Sequence, residues 1–280
     1  MAIILALSSA IIWSMILLIY RHAMLKNADA SAVLIFSQIG ALILCLIFFP
    51  FPDILSLNHS LLGLLLISGA FWAIGVYTEI RALSFIDTSA SGVIGSFRYV
   101  LACLIGQYFF KENFSFLNIM GACLIMLAVI GIGGLDFKKF NYRTGFLLQI
   151  FASCTQVIAY SLDKYLSASL SAELVTTCSY FFPALLFLIL NPKKLLLIPS
   201  QIKLTKYWLC LIPVGVFLCY YALVKSFSIG GEFKIGMALV ESSVVINWIF
   251  AYFLLKERNE AMQKLGFCVL CFLGICLITI

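Results

Sequence analysis

Apolar residues in this chain run in long blocks rather than in alternation. Ten blocks of about twenty residues stand out, at 2–20, 32–51, 61–84, 88–110, 114–134, 144–163, 173–190, 207–228, 234–255 and 261–280. A helix needs about 20 mostly apolar residues to cross ~30 Å of hydrocarbon, so each block predicts one membrane span. The connections are short and hold most of the charge. The longest, 191–206, contains Pro192, Pro199 and four lysines, Lys193, Lys194, Lys203 and Lys206. In lipid every backbone polar group must find its partner inside the chain. The predicted fold is therefore an all-α integral-membrane bundle of ten transmembrane helices. Met1 to Tyr20 has no charged leader region and reads as a retained first span.

Polar residues inside the blocks are spaced by three and four, which places them on shared helix faces. Such stripes are Ser9, Trp13, Ile16 and Tyr20 in the first span and Ser68, Trp72, Gly75 and Glu79 in the third. The sixth carries Gln149, Ser153, Gln156, Tyr160 and Asp163. The ninth carries Lys234, Met237, Glu241, Val245, Trp248 and Tyr252. Two charges lie deep: Arg98, ten residues into the fourth span, and Glu241, a third of the way into the ninth. Intramembrane charges are expensive in lipid and face a cavity or a partner. An Arg98–Glu241 ion pair that holds the bundle is one reading; a substrate or proton site is the other. Glu79, Arg81, Asp163, Lys164 and Lys225 fall near span ends, as snorkelling anchors or local ion pairs, or as gates at a cavity mouth. Pro183 and Pro213 are expected to kink the seventh and eighth spans.

The chain also repeats itself. Tyr108-Phe109-Phe110-Lys111-Glu112 and Phe253-Leu254-Leu255-Lys256-Glu257 end two spans at an offset of 145, at which Gly121 meets Gly266 and Cys123 meets Cys268. The implied halves, 1–136 and 141–280, hold five spans each. An odd number of spans per copy inverts the second copy, the arrangement of transporters with a midplane site between halves. Arg98 maps to position 243, next-but-one to Glu241, so inversion brings the two charges toward one cavity.

Composition narrows the function classes. At 64% hydrophobic and 11% charged residues, with a mean hydropathy of +1.12, the chain exceeds what a soluble core can bury. Soluble enzymes, nucleic-acid-binding domains and disordered tails are excluded. The net charge of +6 is spread over many short segments, unlike a polyanion-binding patch. All ten cysteines fall in apolar runs and read as small fillers without disulfides. Cys268 and Cys271 form a CxxC with no second pair beside it, so no metal is expected. Hydrolase, metalloprotease and phosphate-loop motifs are absent, and no cofactor is implied.

Two five-helix halves, each ending in a span, a Lys-Glu turn and a span with an early glycine, resemble the EamA-type branch of the drug/metabolite transporter superfamily. Trp13-Ser14 is similar to that family's Trp-Gly, and Tyr220-Tyr221-Ala222-Leu223 to its aromatic-aromatic-Ala-Leu stretch. The family often has proline fourteen residues before the turn glutamate; here Arg98 and Ser243 stand there. The resemblance implies a transporter with both termini cytoplasmic. Charge counting places them outside: Lys111, Lys164, Lys225 and Lys234 share one side, and the other lysines and arginines, Arg98 apart, the opposite one.

The expectation is a monomeric secondary transporter of a small zwitterionic, amino-acid-like metabolite, in a bacterial inner membrane, working by alternating access. Arg98 would take a carboxylate and Glu241 an ammonium, with Trp13, Trp72, Tyr99, Gln156, Tyr160 and Trp248 lining the site. An integral-membrane enzyme or assembly subunit without flux, and a channel, are the alternatives. No nucleotide-binding motif is present, so direct ATP drive is not expected.

Overall fold

The computed structural model describes residues 1–49, 58–113, 115–136 and 139–279. The expected span ends at 51, 114 and 280, and Lys138, lie outside them. Among the described residues there is no strand, and ten helices are long and apolar enough to cross a membrane. We label these α1 (Ala2–Leu25), α2 (Ala30–Phe48), α3 (His59–Ala82), α4 (Thr88–Phe109), α5 (Phe116–Asp136), α6 (Phe140–Leu166), α7 (Ala172–Leu190), α8 (Leu211–Ser228), α9 (Phe233–Phe253) and α10 (Ala261–Thr279). Several outrun the apolar blocks because a helix continues past the hydrocarbon as long as its ends find partners. Asp29 caps α2 by accepting from Ala32 N at 3.0 Å, and Ser171 caps α7 by accepting from Leu174 N at 3.2 Å. The long connection folds into a 3₁₀ turn, Pro192–Leu197, and a short helix, Ile198–Leu204. Pro213 falls in the first turn of α8, where no intrahelical N–H bond is lost, so the kink expected there has no cause. Pro183 is interior to α7.

The packing follows one scheme twice. Helix α3 lies on α6 as α1 lies on α8; α3 touches α7 as α8 touches α2; α2 packs on α7, and α5 on α10. Exchanging α1–α5 with α6–α10 reproduces the neighbours.

Neither α4 nor α9 is continuous, contrary to the single spans expected. Helix α4 is Thr88–Gly95 then Phe97–Phe109, and α9 is Phe233–Glu241 then Val244–Phe253. At both joints the ladder tightens to i→i+3 bonds, Tyr99 N to Ser96 O at 2.9 Å and Ser243 N to Val240 O at 3.2 Å. The joints correspond in the repeat, and Arg98 and Glu241 sit beside them.

Candidate functional site

The breaks in α4 and α9 face each other in the interior. The first piece of α4, Thr-Ser-Ala-Ser-Gly-Val-Ile-Gly, is built of small residues and lies buried throughout, which lets α6 and α9 approach. Arg98, 2% exposed, enters this space. Its Nε stands 3.2 Å from Glu241 Oε1, and its Nη2 stands 3.5 Å from Glu79 Oε1. One guanidinium thus lies between two carboxyl groups, which are 2% and 7% exposed at Glu79 and Glu241.

The two carboxyl groups are held differently. Glu79 accepts from Gln149 Nε2 at 3.3 Å and from Gln156 Nε2 at 2.8 Å, one amide on each oxygen. Gln149 is set by Ser91 Oγ, which donates to its Oε1 at 3.0 Å. Gly75 makes room for this arrangement, because a Cβ there would come within 2.4 Å of Gln156 Cγ. Glu241 has the Arg98 contact, and even that lacks hydrogen-bond alignment at Nε. Among the described residues, Glu79 is thus held on both oxygens and Glu241 by its ion pair with Arg98.

A second polar group lies further along α6. Asp163, fully buried, accepts from Ser68 Oγ at 2.7 Å and from the Tyr220 hydroxyl. Tyr160 connects the two groups. Its hydroxyl is set toward Arg98, and its ring packs on Trp72 at 5.2 Å and on Tyr220 at 6.3 Å between centroids.

Of the residues expected to line the site, Arg98, Glu241, Gln156, Tyr160 and Trp72 come together with Glu79. Glu79 and Asp163 lie near the ends of α3 and α6, as expected, and both are buried. Trp13 and Tyr99 are buried on α1 and α4, Tyr99 with its hydroxyl by Cys103. Trp248 is placed elsewhere: its indole donates to Ala261 O at 3.0 Å and stacks on Tyr252 at 5.2 Å. The break at Ser242–Ser243 resets the helical phase, so Trp248 does not continue the face of Glu241. Arg81 is exposed at the end of α3, and Lys225 pairs with Glu173 at 3.1 Å. All ten cysteines are free.

The Lys-Glu turns have a structural role that their spacing did not disclose. Glu112, after α4, accepts from Phe233 N at 2.5 Å and Lys234 N at 3.1 Å, the first amides of α9. Glu257, after α9, accepts from Thr88 N, the first amide of α4, at 3.0 Å. Each turn closes the start of the other broken helix, where free amides and the helix dipole favour a carboxylate. Lys111 and Lys256 take left-handed φ values of 54° and 58°, and the glutamate amides that follow donate to Gly106 O and Ala251 O, each at 3.0 Å. On the Glu257 side a charged latch forms. Arg21 donates to Glu257 at 2.7 Å, to Asp87 at 3.2 Å and to Leu83 O at 2.5 Å, while Lys264 bonds Asp87. Burial and the nearby Asp87 push the Glu257 carboxyl above its ordinary range, against the pull of Arg21. A cavity of about 420 Å³, lined by Asp87, Lys139, Asn141 and Lys264, opens beside the latch.

Residues 1–134 match the family model described as the EamA-like transporter family. The first half of this chain is thus similar to the EamA-like transporters, consistent with a member of the drug/metabolite transporter superfamily. That match and the ten membrane-length helices are consistent with a multi-pass membrane protein of the transporter class. No curated protein matches the chain. A solved structure described as "Crystal structure of protein" superposes with a TM-score of 0.69, covering 99% of this chain and 97% of that one, at 14% identity. At that identity the likeness shows the ten-helix fold alone.

Proposed function

We propose that this EamA-like protein carries a zwitterionic, amino-acid-like metabolite by alternating access, with inverted repeats at 1–136 and 141–280. The substrate carboxylate replaces Glu241 on Arg98, and the freed Glu241 receives the substrate ammonium. The observation that carries this reading is the asymmetry around Arg98: Glu79 is held on both oxygens, Glu241 by the guanidinium alone. A planar guanidinium suits a carboxylate ligand because its donors form a fixed fork. The matched packing of the two halves and the reciprocal capping by Glu112 and Glu257 support the inverted repeat. Broken helices at a central site are what transport by rocking halves requires. Uptake of a labelled neutral amino acid into proteoliposomes tests the reading. Arg98→Ala and Arg98→Lys should each lose at least about tenfold in rate, the second because an ammonium lacks the fork. An Arg98→Ala protein that folds and transports like the parent overturns it.

A further inference from the structure

Asp163 is a buried carboxyl group without a cationic partner. Its neighbours are three neutral hydroxyls, Ser68, Tyr220 and Ser179, and no ion pair reaches it among the described residues. Burying a lone carboxylate is costly unless a positive group joins it. The walls around it are aromatic. Trp72 and Tyr220 lie 4.9 Å apart, Tyr180 and Tyr220 5.6 Å, and Tyr160 closes the side toward Arg98. A cation seated on the Asp163 carboxyl would lie beside these ring faces, the geometry of a cation–π contact. Trp72 Nε1, in the same place, is buried with no hydrogen-bond partner among the described residues, and the Ser179 hydroxyl stands close to the Asp163 carboxyl. The Tyr220 hydroxyl donates to Asp163 where an ammonium N–H would.

We propose that Asp163 and its aromatic walls form a second subsite, which takes a cationic group at the far end of the substrate's side chain. This rests on the zwitterion reading and narrows it to basic amino-acid-like compounds. Gln156, which holds the Arg98 counter-charge, and Asp163 are two turns apart on α6, about 10 Å along its axis. Tyr160 spans the interval between them. A carboxylate on Arg98 and a cation on Asp163 can therefore belong to one molecule, with its aliphatic stem against Tyr160 and Trp72.

L-Lysine and L-norleucine, whose side chains differ by the terminal ammonium, separate the possibilities when titrated calorimetrically into the purified full-length protein. Lysine should bind at least about tenfold tighter to the parent. Asp163→Asn should bring that ratio close to one while norleucine affinity is kept; Arg98→Lys should weaken both ligands. Trp72→Phe, a milder change should Asp163→Asn not fold, should weaken lysine binding by a larger factor than norleucine binding, because both stems touch this ring and the lysine ammonium alone also uses its face; an equal loss for both ligands overturns the subsite. Equal binding of the two ligands overturns this subsite and leaves the zwitterion reading standing, whereas binding of neither overturns both. Lysine preference that survives Asp163→Asn also overturns it, including the case in which that variant loses only proton-driven uptake, since Asp163 would then carry the coupling proton.

Discussion

Glu79 and Glu241 touch the same guanidinium, yet their substitutions should separate. Glu79→Gln places an amide where both oxygens accept from Gln149 and Gln156, so one donor meets another inside the bundle. A buried donor left unsatisfied costs about 1–3 kcal/mol. Glu241→Gln removes a charge that has no second partner, and Arg98 keeps Glu79. Glu79→Gln should therefore lower the thermal midpoint more than Glu241→Gln, while both reduce transport. Paired melting curves and uptake rates check this; equal midpoints would show that the two carboxyl groups are held alike. Titration distinguishes Glu257 in another way. Its carboxyl is raised by burial and Asp87, so the folded protein binds this proton more tightly than the unfolded chain does. Its contribution to stability is present below the ordinary carboxylate value of about 4.3 and is lost as pH rises through the raised one. Glu257→Gln has no such proton, so its stability relative to the parent should climb as pH is taken from about 4 to 7. A constant difference over that range would contradict the burial argument.

At the scale of elements, the Lys-Glu turns carry more of the architecture than their length implies. Glu112 closes the first amides of α9, and losing an N-terminal capping interaction typically costs about 1 kcal/mol. Glu112→Ala should destabilise by that order, read as a lower thermal midpoint. Lys111→Gly should be close to neutral because its φ of 54° suits glycine. Lys111→Val should cost over about 1 kcal/mol, since a β-branched residue resists that conformation. If the valine variant matches the glycine one, the turn is not fixed in the left-handed region. The ten helices were legible in the sequence because block length alone sets a membrane span. The meeting of Arg98 and Glu241 was legible because the 145-residue register placed them across from each other. The breaks at Ser96 and Ser242–Ser243 were not, since neither joint carries the proline that marks such a site. The phase of Trp248 was lost with them. The place of Glu79 near a span end and on the Ser68–Trp72–Gly75 stripe was legible, but its partners were not, since Gln149 and Gln156 lie 70 and 77 residues away on α6. No periodicity within one helix reports such a contact.

Across the whole molecule, the packing of α5 on α10 joins the first five helices to the last five. Helices α5 and α10 meet through glycine. A Cβ on Gly121 would come within 2.4 Å of Gly274 O, and a Cβ on Gly274 within 2.6 Å of Gly121 O. Backbones this close leave no room for any side chain, as in small-residue helix pairs in membranes. The sequence repeat pairs Gly121 with Gly266 instead, but Gly266 is exposed and has nothing within 4 Å of its missing Cβ. The two glycines occupy matching places in the repeat and opposite environments in the bundle. Gly121→Leu must separate α5 from α10, and overpacking of this kind costs about 1–3 kcal/mol or more. Gly266→Leu only adds an apolar group to an apolar surface. The first should therefore reduce monodisperse yield and lower the thermal midpoint, with the second near the parent in both. Equal behaviour of the two variants would mean that α5 and α10 are not joined through Gly121 and Gly274.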